Sequence, residues 1–454
     1  MNRLPPPCLA LLLVAIAMTA DAGTPAPVPQ LNFDPPRIVV SDRPARLMHI
    51  DGPPATVPIP ATGLEFVVNT DWDVFHHAGS DTWYILDGAH WISNTMLSGG
   101  DWRAATDLPE GFLTLQVSSD WPRVSAAMPP RVAGSDPLPI VISYEPTELI
   151  VVDGDMDLQP VAGGLSYVAN TVSDLFHYDG RYYYLTAGRW FTTKDVDRKW
   201  YAVKQLPEAF AEIPAGHPRE RVLVSVPGTE AARRAAEEAA QPRVTEVEPQ
   251  SGDGIEVVWA GDPRFVGIEG TALQRGENTP FQVIRHNNFH YLCLEGAWYS
   301  ASEPRGPWRV ARQVPEAIYD IPASDPAFNV TFVRLQAFDD SSGRAAYVST
   351  SGYYNRYYTG STMVYGTGWY HPAYYDRSVY WRYPYSYGYY GPWGAYWPYQ
   401  YRHSETFEFD RTETDWEWSL GGGKKRVYTY GPVNYVGGTY VKPASNIHQA
   451  GGRE

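Results

Sequence analysis

The sequence predicts a mainly β protein that contains three tandem β-meander repeats of about 100 residues each. Two observations lead to this prediction. One aromatic spacing occurs three times along the chain, and tight-turn dipeptides separate short runs of aromatic and β-branched residues. The composition agrees, because 14% of the 454 residues are aromatic and the chain has 40 Gly and 40 Pro, a mixture that favours strands and turns over long helices.

The recurring pattern is an Asn-Thr pair followed by two tryptophans and then by a Pro-Glu pair. The first tryptophan follows the asparagine by 22, 20 and 20 residues, the second follows the first by 11, 10 and 10, and proline comes 7 residues later each time. We place the repeats at residues 47–147, 148–250 and 251–340, after a linker at residues 23–46. The six tryptophans are Trp91, Trp102, Trp190, Trp200, Trp298 and Trp308.

Each repeat is predicted to contain three short strands joined by tight turns, with a fourth short strand after the second tryptophan. In the second repeat the turns are Asp179-Gly180 and Ala187-Gly188, and Asp-Gly between apolar runs favours a type I′ hairpin turn. The corresponding dipeptides are Gly79-Ser80 and Asp87-Gly88 in the first repeat, and Asn287-Asn288 and Glu295-Gly296 in the third.

Alternation along the middle strand predicts which of its faces is buried. Successive side chains of a strand point to opposite faces, so residues two apart share a face. We therefore assign one set of equivalent positions to the core and leave the opposite face, which includes Tyr182 and Tyr184, half polar. The core set is Trp83, Tyr183 and Tyr291, followed two residues later by Ile85, Leu185 and Cys293.

The remaining segments predict one helix and an irregular end. Thr229 is placed to cap a short connector helix at residues 229–241, between the second and third repeats, that stops before Pro242. Residues 341–403 form an aromatic low-complexity region, because Tyr347 to Tyr401 include 18 Tyr and four Trp among Gly and Pro. An acidic and then Gly-rich tail at residues 404–454 follows.

We expect residues 1–22 to be a cleaved signal peptide. An apolar run from Cys8 to Met18 follows Arg3, and Ala20-Asp21-Ala22 fits the small-x-small pattern of signal peptidase sites. The run is shorter than the about 20 residues that cross a bilayer as a helix, and we expect no transmembrane segment after it. The expected location is therefore the periplasm, the cell surface or the medium.

Charge, cysteine content and motifs exclude several classes of function. The net charge of −15 without a basic block argues against a nucleic-acid partner, and Cys293 alone after cleavage leaves no intrachain disulfide. No nucleophile, phosphate-loop or zinc-protease motif is present, so we expect neither an enzyme nor a cofactor. His76 and His177 are equivalent, but Arg285 replaces them in the third repeat, which favours surface histidines over a metal site. The recurring Pro-Glu pairs are interpreted as helix starts; their glutamates are Glu110, Glu208 and Glu316.

The aromatic elements suggest a binding function. Gly188-Arg-Trp-Phe, and Gly296-Ala-Trp-Tyr followed by Gly306-Pro-Trp308, resemble the small carbohydrate-binding modules of families V and XII. The wider pattern, including Val364-Tyr-Gly-Thr-Gly-Trp369, resembles a group of exported bacterial proteins of unknown function. The first resemblance implies non-catalytic binding of an insoluble glycan, since sugar rings stack on exposed aromatic faces.

We therefore predict an exported protein that binds a polysaccharide or cell-wall glycan. The alternative is an envelope scaffold that contacts other proteins, with the recurring tryptophans serving as core. Exposure of those tryptophans distinguishes the two. The candidate binding residues are Trp190, Trp200, Trp298, Trp308, Tyr182, Tyr184, Trp369, Trp381 and Trp393.

Overall fold

A computed structural model describes residues 30–369 apart from residues 51, 68, 69, 71, 118–120, 132–135, 258, 260, 261, 280 and 360, together with four short strands between residues 412 and 440. The expected signal peptide, Trp381 and Trp393 lie outside the described residues. Within the described part, no helix combines the length and the apolar character needed to cross a bilayer.

The described chain begins with two strands and continues into a first six-stranded antiparallel sheet, whose strands follow one another in sequence order. The two leading strands are β1 (Arg37–Ser41) and β2 (Arg46–His49). The strands of the first sheet are β3 (Thr56–Ile59), β4 (Leu64–Val67), β5 (Asp73–His77), β6 (Thr82–Asp87), β7 (His90–Asn94) and β8 (Arg103–Ala104).

Two helices and two strands lead to the second sheet. They are α1 (Gly111–Gln116), α2 (Pro122–Ala126), β9 (Ile140–Ser143) and β10 (Thr147–Val151). Strand β9 pairs in parallel with β2, and β10 pairs in parallel with β1. Part of the segment expected to be a linker is therefore strand β1, which pairs with the start of the second unit.

The second sheet has the same sequential order of six antiparallel strands. These are β11 (Leu158–Pro160), β12 (Ser166–Val168), β13 (Asp174–Tyr178), β14 (Arg181–Thr186), β15 (Arg189–Thr193) and β16 (Tyr201–Ala202). Two 3₁₀ helices follow at Glu208–Glu212 and Glu220–Ser225, and then helix α3 (Glu230–Ala240). The hydroxyl of Thr229 accepts a hydrogen bond of 3.1 Å from the Ala232 amide, which is the predicted cap.

The third sheet again has six antiparallel strands in sequential order. After β17 (Arg243–Val247) and a 3₁₀ helix at Pro249–Gly252, they are β18 (Phe265–Gly267), β19 (Gln274–Gly276), β20 (Gln282–His286), β21 (Phe289–Leu294), β22 (Ala297–Ala301) and β23 (Arg309–Val310). Two more 3₁₀ helices follow at Glu316–Asp320 and Phe328–Phe332.

The last described elements are a small sheet and several hairpins. Strands β24 (Val333–Asp339) and β25 (Arg344–Ser349) join β17 in a three-stranded sheet of order β17-β25-β24. A 3₁₀ helix at Ser351–Tyr354 precedes β26 (Arg356–Tyr358) and β27 (Met363–Tyr365). The distant strands are β28 (Thr412–Thr414), β29 (Val427–Thr429), β30 (Tyr435–Val436) and β31 (Thr439–Tyr440).

The mainly β prediction is confirmed, and each sheet contains the predicted meander plus two preceding strands that the sequence did not reveal. The turn at Asp179-Gly180 has positive φ at both residues, 47° and 68°, as a type I′ turn requires. The recurring glutamates also lie at helix starts, since two 3₁₀ helices begin at Glu208 and Glu316, and Glu110 directly precedes α1.

The prediction for the first turn of the first sheet was wrong. Strands β5 and β6 pair His77 with Thr82, which leaves a four-residue loop at 78–81 and not a two-residue turn at Gly79-Ser80. The longer loop shifts the alignment of the middle strand by one residue. Leu86, and not Ile85, pairs opposite the first tryptophan as Leu185 and Cys293 do in the other sheets.

Both faces of each middle strand are buried, which corrects the prediction of one half-polar face. In the second sheet, Tyr183 packs with Trp190 on one face, while Tyr184 packs with Trp200 on the other. The first sheet repeats this division, with Trp91 in one cluster and Trp102 in another. Each sheet is therefore covered on both sides by the segments that precede and follow it.

The Asn-Thr pairs also have a structural role that their recurrence alone did not reveal. The amide of Asn170 donates to the carbonyls of Asp153 and Asp155 at 2.8 and 2.7 Å and accepts from the Asp157 amide at 2.9 Å. Asn278 makes the same kind of contacts, donating to the Asp262 carbonyl at 2.7 Å. The asparagine thus satisfies the backbone of the loop that enters each of these two sheets.

The first tryptophan of every unit makes one equivalent hydrogen bond. The indole N–H groups of Trp91, Trp190 and Trp298 donate to backbone carbonyls 36, 35 and 35 residues further along the chain. The acceptors are the carbonyls of Ala127, Ser225 and Val333, at 3.2, 2.8 and 2.8 Å. Each bond holds the end of the short helices that follow a sheet against the face of that sheet.

We expect Trp190→Phe to lower the free energy of unfolding by about 1–3 kcal/mol, because the buried Ser225 carbonyl loses its donor. Urea unfolding followed by far-ultraviolet circular dichroism measures the change. Trp369→Phe, which alters an exposed ring, is the control and should leave the midpoint unchanged. Equal midpoints for Trp190→Phe and the unaltered protein would show that the indole bond contributes no stability.

Candidate functional site

The structure places the four repeat tryptophans of the candidate site in the core. The exposed fractions of Trp190, Trp200, Trp298 and Trp308 are 8%, 3%, 0% and 1%. Because protein encloses these rings, they have no free face on which a sugar could stack. The alternative stated above, that recurring tryptophans serve as core, is the arrangement found.

The two candidate tyrosines of the second sheet differ in exposure. Tyr184 is buried against Trp200, with its hydroxyl 3.4 Å from the Glu148 carboxylate. Tyr182 is half-buried and contacts the His177 ring edge-to-face at 5.0 Å between centroids. Neither tyrosine lies at the groove described next.

Trp369 is the candidate residue that the structure places at an open surface, with 39% of its area exposed. It lies in a groove of about 760 Å³ beside the three-stranded sheet, which we call the C-terminal groove. The residues that define this groove are Gln30, Tyr319, Phe332, Arg334, Gln336 and Trp369.

Three consecutive elements supply most of the walls of the C-terminal groove. The 3₁₀ helix at Glu316–Asp320 supplies Tyr319, and the next 3₁₀ helix supplies Phe332. Strand β24 supplies Arg334 and Gln336, both of which line the groove. A β-bulge between Leu335 and Ala337 leaves Gln336 without a paired residue on β25. Bulges of this kind change the direction of side chains in many sheets.

Aromatic packing supports the wall beneath Phe332. The rings of Phe328, Phe332 and Tyr357 lie within 5.4 to 5.6 Å of one another, and Tyr357 is buried. Gly352 lies directly behind this cluster. A Cβ at that position would approach the Phe332 ring to 2.2 Å, so only glycine lets the ring occupy its place.

Arg334 and Tyr319 form the polar centre of the groove. The guanidinium carbon lies 3.9 Å from the centre of the Tyr319 ring, and burial raises the pKa of that tyrosine to about 12. The Tyr319 hydroxyl is neutral at pH 7, and its oxygen lies 3.4 Å from the carbonyl oxygen of Val333. The pair presents a fixed cation over an aromatic face, an arrangement that stabilises the orientation of the guanidinium.

Arg189 joins the chain segments that place the two ends of the groove. Its buried guanidinium donates to the carbonyls of Asn32, Tyr365 and Gly366 at distances of 2.9–3.0 Å. Asn32 in turn donates its backbone amide to the Thr367 carbonyl at 2.9 Å. Gln30 and Trp369 are only two or three residues from these contacts. Arg189 of the second sheet therefore holds the segment that carries Gln30 and the segment that carries Trp369.

Elsewhere in the described part of the chain, titratable groups do not form a comparable site. His76 lies 2.9 Å from the Asp81 carboxylate and 3.4 Å from that of Glu65, and its ring stacks on Trp83 at the rim of the first sheet. Among the described residues, no group of three His, Cys, Asp or Glu side chains is arranged to hold a metal ion.

No protein-family model, curated protein or solved structure matches this chain at a significant level.

Sequence reasoning found Trp369 but missed its partners in the groove. Tyr319 and Phe332 belong to short helices with no recurring aromatic signal of their own, and Gln30 is separated from all the others by 289 residues or more. Polar residues two positions apart, Arg334 and Gln336, were the one feature of the sequence that pointed to a polar strand surface. This feature indicates a binding site only when the neighbouring elements of the fold are known.

We expect Arg189→Met to loosen the segments at both ends of the C-terminal groove. Several buried carbonyls lose a charged donor, so local opening should increase about fivefold or more. Limited proteolysis with thermolysin, read by mass spectrometry, measures cleavage within residues 30–35 and 363–368.

Arg312→Met is the matched control, because Arg312 is exposed and pairs with Asp340 at the surface. Unchanged cleavage in Arg189→Met would refute the proposed role of Arg189 in holding the two segments.

Proposed function

We propose that this protein is an exported, non-catalytic binding protein that holds a polysaccharide or cell-wall glycan in the C-terminal groove. The observation that carries the proposal is the exposed Trp369 ring, which shares a groove of about 760 Å³ with Tyr319, Phe332 and several polar side chains. Sugar-binding sites combine an aromatic face for the C–H side of the ring with polar groups for its hydroxyls.

The polar groups of the groove suit sugar hydroxyls. Gln30 and Gln336 carry amides that both donate and accept hydrogen bonds, and Thr350 adds a hydroxyl. The described lining includes one carboxyl group, from Asp320, whereas hydrolysis of a glycosidic bond generally requires a pair. These features support binding without hydrolysis.

Export and the aromatic segment remain part of the proposal. The signal-peptide pattern at residues 1–22 supports the proposed export, which would bring the protein to envelope or environmental glycans. Trp381 and Trp393, which lie outside the described residues, follow Trp369 within 24 residues. Weak stacking by further rings on the same polymer would add avidity to binding in the groove.

We expect Trp369→Ala to weaken glycan retention about tenfold or more, because the groove loses the ring on which the sugar stacks. Pull-down of the full chain on insoluble peptidoglycan, chitin and cellulose measures retention. Tyr201→Ala is the control, since Tyr201 is also an exposed aromatic ring but lies on the second sheet, away from the groove.

A double variant, Trp381→Ala with Trp393→Ala, separates the groove from the aromatic segment. Groove binding predicts that this variant retains most of its affinity while Trp369→Ala does not. Retention that is lost only in the double variant would refute the groove as the binding site. Failure of the unaltered protein to bind any glycan would refute glycan binding and leave the envelope-scaffold alternative.

A further inference from the structure

We propose that the C-terminal groove selects acidic glycans, with Arg334 pairing with the carboxylate of a uronic acid whose ring stacks on Trp369. This inference rests on the proposed function, and it specifies the chemical class of the ligand. It depends on how the Arg334 guanidinium is held and on which of its hydrogen-bond donors are engaged.

Arg334 lacks an acidic partner within the described part of the chain. Three other arginines of the same region pair with carboxylates: Arg275 with Asp325, Arg312 with Asp340 and Arg344 with Glu248. Arg334 instead lies against the Tyr319 ring, 3.9 Å from its centre. Stacking engages the face of the guanidinium, and its N–H groups remain directed outward in the plane of the group.

The geometry of a guanidinium matches that of a carboxylate. Two parallel N–H groups can donate to the two carboxylate oxygens at once, and such charge-assisted pairs are stronger than neutral hydrogen bonds. Because Tyr319 already fixes the orientation of Arg334, less side-chain entropy is lost when the ligand binds. Arg334 supplies the positive charge that would pair with the carboxylate of the uronic acid, and Asp320 supplies the one negative charge of the described lining.

The other polar groups of the groove are compatible with the remainder of a uronic acid. Gln336 lines the groove two residues after Arg334 on β24, and its amide can bond to ring hydroxyls. Asp320 is the acidic member of the lining and accepts hydrogen bonds from hydroxyls. Since the whole chain carries a net charge of −15, attraction of an acidic ligand depends on close contact with Arg334 and not on the overall field.

The test compares matched ligands by isothermal titration calorimetry with the full chain. The acidic probes are oligogalacturonate, oligomannuronate and hyaluronan oligosaccharides, and methyl-esterified oligogalacturonate is the neutral counterpart of the first. Cello-oligosaccharides are the unrelated neutral probe, and sulfated dextran tests a different anion. We expect at least one carboxylate probe to bind about tenfold or more tightly than the neutral probes, and Arg334→Gln to abolish that difference.

Arg312→Gln is the control variant, because it removes the same charge from a residue that contacts Asp340 and Phe338 outside the groove. The preference for the acidic probe should survive in this variant. Trp369→Ala should weaken acidic and neutral probes alike.

The outcomes separate the inference from the function on which it rests. Equal binding of acidic and neutral probes, with Arg334→Gln unchanged, would overturn the inference while the proposed function stands. A stronger response to sulfated dextran than to every carboxylate probe would overturn it as well. Absence of binding to all probes and to all insoluble glycans would overturn both.

Discussion

The indole hydrogen bond of Trp298 determines where the walls of the C-terminal groove lie. Its N–H donates to the carbonyl of Val333, the first residue of β24, and the fully buried ring cannot move without opening the core. Arg334 is the next residue of that strand, and the Tyr319 hydroxyl lies 3.4 Å from the same carbonyl. A buried tryptophan therefore positions Arg334 and the Tyr319 ring against which the guanidinium lies.

The equivalent indole hydrogen bond supports different structures in the three repeats, because different elements follow the three acceptor residues. All three acceptors lie at the end of a short helix, and Val333 is in addition the first residue of β24, the edge strand of the three-stranded sheet. Tyr347 strengthens this region further, since its hydroxyl lies 2.8 Å from the Trp298 carbonyl and 2.7 Å from that of Ala311. The third unit thus turns a recurring structural contact into the support of an open surface.

Sequence patterns predicted the local structure well and the assembly poorly. Asp179-Gly180 predicts its turn because both residues accept the positive φ that the turn requires. Thr229 predicts a helix cap because its hydroxyl makes one local hydrogen bond. Both features depend on a few neighbouring residues, so the sequence is enough to predict them. The recurring tryptophans predicted the length of the repeat, but whether each tryptophan is exposed depends on which segments cover its sheet. Those segments lie 35 or more residues away in the chain, and no local pattern records the contact. The four-residue loop at 78–81 shows a further limit, because one changed turn length reassigns every side chain of the following strand.

The C-terminal groove joins parts of the chain that only the complete fold brings together. Gln30 and Trp369 are separated by more than 300 residues, and Arg189 of the second sheet holds the segments that carry them. Gly188, beside it, permits this approach, since a Cβ there would lie 2.3 Å from the Met363 carbonyl oxygen. A ligand in the groove would contact both segments as well as the three-stranded sheet, so binding energy would oppose their separation. The second sheet therefore contributes to the groove indirectly, through the hydrogen bonds of its buried Arg189 to the segments that carry Gln30 and Trp369.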